Sequence, residues 1–312
     1  MQQVTKAALL STNPRFSQVF EPNYGVPVVV APKVTRVTCN NPSAFTFFGT
    51  NSYLVGTDTL AVIDPGPLDE THLAALINAV GARPVSHIFV SHTHADHSPL
   101  AKKLKELTGA MIVGAGVHRS ARPLNIGEVN PLDAAADHGH VPDTELTEGQ
   151  IVDGDGWTIK AIETPGHCAN HLAFELVGEE TLFSADHVMA WATSIVAPPD
   201  GAMADYMGSL DKLEGLGHQR YFPGHGGPVE NPDAFLRGLR GHRKMRERAI
   251  LERISKGDRT IVSMVANIYR DTDPRLHGAA ALSVLAHLED LVARNAVRTE
   301  GPPSLQGTFE PV

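Results

Sequence analysis

The sequence predicts an α/β fold followed by a small, mostly helical second domain, and three observations carry that prediction. From Val28 to Pro232, short β-branched or apolar runs alternate with helically spaced segments. After Pro232 the texture changes to continuous helical spacing. Between His87 and Leu100 the chain reads HIFVSHTHADHSPL, which crowds four histidines and an aspartate behind an apolar run.

Taken in order, residues 1–27 carry turn formers and little periodicity, and read as a loose N-terminal arm. VPVVVAPKVTRVTC, SYLVG and TLAVID are consecutive strands, ended by the turn residues Asp64–Pro67. Residues 70–81 have helical spacing and stop at a glycine. HIFVS is a buried strand, residues 98–109 form a helix ending at Gly109, and MIVGAG is the next strand. Residues 119–150, polar and rich in Asp, Pro and Gly, read as an insertion over a site. TIKAIETPG, HLAFELVG and TLFSAD are three further strands, Met203–Leu216 is a helix, and RYFPGHGGPVENP returns to strand and loop. Residues 233–256 form one long helix, and residues 260–298 further helices with a short basic end. The expected division is an arm at 1–27, a catalytic domain at 28–232, a second domain at 233–300, and a tail at 301–312, frayed from Pro302 onward.

Composition bounds the function. The 312 residues are 42% hydrophobic and 20% charged, enough for a sizeable core. No apolar run approaches ~18 residues, so no membrane span is expected. The first residues lack a basic start followed by a long apolar stretch, so no secretory signal is expected either. Cys39 and Cys168 are the two cysteines, which argues against a disulfide scaffold and fits a reducing cytoplasm. The net charge of −9 is a poor footprint for a nucleic-acid binder.

The sixteen histidines matter because they cluster. His92 and His94, two apart, share a face if the strand continues, and Asp96 and His97 swing round in the following turn. Imidazole and carboxylate are the ligands that zinc and similar metals take. Such a half-cage needs partners from elsewhere, and three later strand ends offer them. They are His167 in ETPGHC, Asp186 in FSAD and His225 in YFPGHGG. Each sits beside small residues that let backbone approach closely. His87, His118, His138, His140 and His171 have no strong spacing argument, with His171 and His118 the better candidates for a supporting or substrate contact.

At these residues the sequence resembles the metallo-β-lactamase fold superfamily. SHTHADH (91–97) matches its central motif, and TPGH (164–167), SAD (184–186) and PGH (223–225) match its later motifs in order. The resemblance covers about residues 28–232 and implies an αββα sandwich with the site along one edge. Carried over, it implies that His92, His94 and His167 bind one metal, that Asp96, His97 and His225 bind a second, and that Asp186 bridges them. All seven positions are filled, as in glyoxalase II and ribonuclease Z. GTNSYLVG (49–56), IDPGP (63–67), SIVAPPDGAMADYMGSL (194–210), PGHGGPVENP (223–232) and the tail are similar to the beta-lactamase-like protein 2 subgroup, with its winged-helix-like C-terminal domain.

The expected cofactors are therefore two divalent metal ions, most simply Zn, with Mn or Fe also suited to His and Asp. Two cations sharing a water lower its pKa from 15.7 toward ~7, which makes a bridging hydroxide available at neutral pH. Asp96 is the expected catalytic residue, orienting that water. Asp64 is expected to orient a metal-bound imidazole by hydrogen bonding. Thr50 and Asn51, which the resemblance places near the site, are candidates for a substrate oxygen, and Trp191, Ser194 and Tyr206 for the pocket wall.

Three functions follow as expectations. The leading one is hydrolysis of a small ester-like molecule, an acyl thioester or lactone. The alternative, implied by the subgroup, is endoribonuclease action on single-stranded RNA. Residues 237–259 give it local support, with nine Lys or Arg against three acids. The third is that the tail binds nucleic acid, a partner or a second copy of the chain in a homodimer.

Overall fold

The computed structural model describes residues 14–312. Its first sheet has seven strands lying in chain order: β1 (Val28–Ala31), β2 (Val34–Thr38), β3 (Asn51–Val55), β4 (Leu60–Ile63), β5 (Val85–Val90), β6 (Met111–Gly114) and β7 (Thr144–Glu145). The first four form an antiparallel meander, whereas β4 to β7 run parallel. Parallel neighbours need a crossover, and helices α1 (Glu70–Val80) and α2 (Leu100–Thr108) supply the first two. α1 begins where the Asp69 carboxylate accepts from the His72 amide, and α2 ends at Gly109 in the left-handed conformation, φ 76°.

The second sheet has the order β13-β12-β11-β10-β9-β8. Its strands are β8 (Ile151–Gly154), β9 (Trp157–Glu163), β10 (Leu172–Leu176), β11 (Thr181–Ala185), β12 (Arg220–Pro223) and β13 (Val229–Glu230). Only β11 and β12 are parallel here, joined through α3 (Met203–Leu213).

Alternation along the strands builds the layers. Tyr53 and Val55 face inward to a core between the sheets, with Ile63, Phe89, Phe174, Phe183 and Phe222. Leu54, between them, faces outward to pack with Leu76 of α1 and Leu104 of α2. On the far side, Ala173 and Leu182 pack under Tyr206 and Leu210 of α3. The αββα sandwich is thus present, with Cys39 and Cys168 both buried and free.

The 24-residue α4 (Pro232–Ser255) belongs to two cores. Leu236 and Leu239 join the layer over the second sheet. Ile250 and Ile254 join a separate core with α5 (Ile261–Ile268), α6 (His277–Ala293), Val297 and Phe309. The chain does not fray after Pro302, as the sequence reading expected. β14 (Val297–Thr299) pairs antiparallel with β15 (Phe309–Pro311), and Phe309 is fully buried. Two three-residue strands give too short an alternation to read, and only packing against α4, α5 and α6 fixes them.

One other expectation is corrected. Residues 1–13 of the supposed arm lie outside the described residues, but 14–27 are pinned rather than loose. Ser17 donates to the Ala190 carbonyl, Phe16 meets Phe235 edge-on, and Arg36 lies 4.4 Å over the Phe20 ring. Pro274–Ala293 is also long and apolar enough, by length and composition alone, to cross a membrane, a test that the core helix of a globular domain also passes. Here its Val284, Leu285, Leu288 and Leu291 are buried in the C-terminal core, which accounts for the apolar face.

If β15 anchors that core, Phe309→Ala removes its largest ring, and the loss of stability is about 3–5 kcal/mol. Thermal or urea unfolding checks this, and an unchanged midpoint refutes the anchoring role.

Candidate metal centre

The site forms where parallel strands end together. β4 ends at Asp64, β5 runs into 91–97, and β11 and β12 run into Asp186 and His225. The Leu172 amide donates to the Ser91 carbonyl and ties the two sheets at this edge. Asp64 (φ 49°) and Ala185 (φ 42°) both hold left-handed backbone, costly conformations that the surrounding packing imposes and that cluster at functional sites.

Both Pro-Gly-His turns require their glycine. Gly166 has φ 136°, and a Cβ there would lie 2.3 Å from the Tyr206 Cα. At Gly224 a Cβ would lie 2.5 Å from Asp186 Oδ1 and 2.6 Å from the His97 ring. The chain therefore passes against the cluster itself at 224, which no other side chain permits.

The structure brings all seven predicted residues together, as two trios with Asp186 between them. In the first, His94 Nδ1 lies 3.1 Å from His92 Nε2 and 2.9 Å from His167 Nε2. In the second, His225 Nε2 lies 3.2 Å from Asp96 Oδ2, and His97 Nε2 lies 3.6 Å from the same oxygen. Asp186 stands between them, 3.7 Å from His167 Nε2, 3.3 Å from His225 Nε2 and 3.4 Å from His97 Nε2. Within each trio one donor atom per residue lies within 4.8 Å of the others.

Hydrogen bonds on the outer side fix how these rings point. Ser91 Oγ donates to Asp64 Oδ2 at 2.6 Å, so its lone pair accepts from His92 Nδ1 at 2.9 Å. The same Asp64 oxygen accepts from His97 Nδ1 at 3.0 Å. His167 Nδ1 donates to the Ile195 carbonyl at 2.7 Å, and His225 Nδ1 to the Gly49 carbonyl at 3.1 Å. Each of these four rings thus turns its Nε2 inward, the nitrogen a metal would take.

Electrostatics separates the trios. Burial, reinforced by neighbouring imidazoles, holds His92 well below the usual histidine range and His94 at about 3, so both are neutral donors. Burial acts the same way on His97 and His225. There the carboxylates of Asp96 and Asp186 outweigh it, pushing His97 well up and His225 to about 9. Burial likewise opposes ionisation of Asp96 and Asp186, but the two imidazoles hold both below the usual carboxylate range.

The donors fit divalent cations. His97 Nε2 and Asp186 Oδ1 are buried and lack any hydrogen-bond partner, though each is aimed into the cluster. Orphaned buried polar atoms of this kind call for a ligand. Nitrogen and carboxylate oxygen are what zinc takes.

Other predicted residues fall elsewhere. Asp64 sits behind the cluster as expected. His171 is buried beside it, its Nδ1 on Thr164 and its Nε2 accepting from the Asp186 amide. Thr50 and Asn51 are fully buried and have protein partners. Asn41 donates to Thr50 Oγ1, which occupies Thr50, and Asn51 donates to the Pro223 and Gly226 carbonyls, so Asn51 holds the 223–226 turn. Tyr206 is core, its hydroxyl on the His187 carbonyl. Trp191 stacks on Phe47 at 4.8 Å, and both rings press on Gly226 beside His225. A cavity of about 200 Å³ opens at His171, lined also by Gly116, Glu145, Glu163, Asn170 and Asp205, but neither Asp64 nor any of the seven converging residues lines it.

The insertion does lie on the site. The Asp137 amide donates to the Thr93 carbonyl, Ala95 to the Ala135 carbonyl, and Ser98 Oγ to the Asp137 carboxylate. Thr93 Oγ1 bonds His118 and accepts from Asn170. Sequence reasoning missed Ser91, Thr93 and Asp137. Single polar residues without spacing carry no signal, although Ser91 does adjoin the motif.

Asp64→Asn keeps the shape but replaces one acceptor oxygen with a donor facing Ser91 or His97. Loss of such support behind a ligand weakens metal binding ~10–100-fold. Competition with a chromophoric chelator measures it, and parent-like affinity overturns the role.

Comparison with known proteins agrees with this geometry. Residues 45–225 match the metallo-beta-lactamase superfamily and residues 260–302 the beta-lactamase associated winged helix domain. The chain is 30% identical to a beta-lactamase-like protein 2 homolog of Caenorhabditis elegans, over 83% of each chain. It is 26% identical to an atrochrysone carboxyl ACP thioesterase of a Cryptosporiopsis species, over 78% of this chain and 74% of that one. A beta-lactamase domain protein from Burkholderia ambifaria shares the fold, with a TM-score of 0.77 at 20% identity over 98% and 99% of the chains. The chain belongs to the metallo-beta-lactamase superfamily of metal-dependent hydrolases and carries that family's associated winged helix domain at its C-terminal end.

Proposed function

We propose that this hydrolase holds two divalent cations, zinc by the simplest fit, and cleaves a small acyl thioester or related ester. The observation that carries the reading is the pair of converging trios joined by Asp186. His92, His94 and His167 would hold one cation, Asp96, His97 and His225 the other, with Asp186 shared. When bound, the cations supply Lewis acidity toward the acyl oxygen and lower the pKa of a water they share.

The chain's own residues do the rest. Asp96 has 27% of its side chain exposed, more than any other member of the cluster, and so faces the mouth. Kept ionised by His97 and His225, its carboxylate is placed to orient the attacking water and accept its proton. Both nitrogens of His225 are committed, Nδ1 to Gly49 and Nε2 to the two carboxylates. With a cation on Nε2 in place of that proton, His225 would have none to give a poor leaving group, which favours one that departs without it, such as a thiolate. Phe47 and Trp191 add an apolar wall beside His225 suited to an acyl group. The thioesterase among the relatives supports the same class.

The ribonuclease reading has less behind it. Of the nine cations in its proposed phosphate track, four are paired within the protein, Arg237 and Arg240 with Glu214, Arg240 also with Asp211, Arg253 with Asp258 and Lys256 with Glu252, and Arg243 is buried. Paired cations of this kind offer little to a polyanion.

The test is release of free thiol from acyl thioesters of graded chain length, with labelled single-stranded RNA run beside them. Thioester cleavage is expected to vanish on chelation and return with added metal. The metal that restores it identifies the cofactor. Asp96→Ala is expected to lower turnover ~10²–10⁴-fold. Near-normal turnover in that variant with both metals bound refutes the role of Asp96, and cleavage of RNA alone refutes the substrate class.

A further inference from the structure

One cation of α4 stands apart from the paired ones. Arg243 is 3% exposed, lies in the joint between the sandwich and the C-terminal domain, and has no carboxylate partner among the described residues. Its guanidinium rests 4.9 Å over the Tyr206 ring. One arm reaches Ser283 on α6 at 3.4 Å, and the other donates to the Ser194 carbonyl. A buried guanidinium without a counter-ion is held by dipoles and an aromatic face alone.

The next carbonyl along the chain is the one that matters to the site. Ile195 O accepts the Nδ1 proton of His167, the bond that turns the His167 Nε2 toward His92 and His94. Residues 193–197 have no regular secondary structure, so no ladder holds these carbonyls in place. A single peptide unit therefore separates the buried cation of the tail helix from the imidazole of the first trio. The charge-assisted bond from Arg243 is the strong tether on that segment.

We propose that Arg243 is a positioning residue for His167, so that the C-terminal domain sets the orientation of one ligand in the metal centre. The proposal rests on the reading that the two trios hold separate cations. It assigns the domain a role at the site that is independent of any nucleic acid or partner.

The test is a stepwise zinc titration of metal-free, full-length protein against a chromophoric chelator. The parent takes up two equivalents. Arg243→Met is expected to bind one equivalent ~10–100-fold more weakly and the other as the parent does, because His97, His225 and Asp96 do not lean on Ile195. Arg243→Lys keeps a cation but cannot reach both Ser194 and Ser283, and is expected to show a smaller loss on the same equivalent. Arg246→Met, which removes the cation stacked on Tyr269 one turn away, is expected to leave both equivalents unchanged. Two parent-like equivalents in Arg243→Met overturn the proposal, and so do two equivalents weakened alike, which would mean general loosening. If Arg243→Met does not fold, a parent-like titration of Arg243→Lys overturns it. A parent that binds fewer than two equivalents overturns instead the two-cation reading, and this inference falls with it.

Discussion

The Asp64 carboxylate is the constraint on which the metal centre depends. It sits in left-handed backbone at the end of β4 and accepts from the Ser91 amide, the Ser91 hydroxyl and His97. Through Ser91 it also sets His92. One buried side chain thus orients a histidine in each trio, and it does so from the strand next to the one that carries the motif. Ordered this way, His92 and His97 already aim Nε2 into the cluster, and the lost rotamer freedom is accounted for in the fold.

A second level of order comes from above and behind. The 119–150 insertion clamps the 91–98 loop through Thr93, Ala95 and Ser98. That insertion is tied to the C-terminal domain where Arg122 bridges Glu128 and Glu289 of α6. Buried Asp200 holds it from another side, accepting from Ser120 and Asn130. The site is built by the sandwich but held by segments outside the sheets.

Much of this was legible in the sequence. Strands β2 to β6 and β9 to β12 carry apolar runs, several of them ended by Gly or Pro, and the seven converging residues fall at or just past strand ends in motifs that set small residues beside His or Asp. What escaped was of a different kind. β15 and the pinning of residues 14–27 depend on contacts far along the chain, so no local pattern announces them. Thr50 and Asn51 looked like substrate groups because polar residues near a site do, yet burial and partners decide such cases, and here Asn51 serves the 223–226 turn while Asn41 takes up Thr50. Arg243 sat in a run of cations whose nearest neighbours, Lys244, Arg246 and Arg248, are exposed or only half-buried. Only the fold distinguishes the one turned inward.

The sharing of α4 between two cores has a mechanical consequence. A helix of 24 residues is about 36 Å long, and an unbroken one bends little. With Leu236 and Leu239 fixed in one core and Ile250 and Ile254 in the other, it acts as a beam set at both ends. The winged domain cannot swing like a lid on a hinge unless the beam snaps or one core melts. Movement beside the metal centre that leaves both cores and this helix intact is therefore movement of loops.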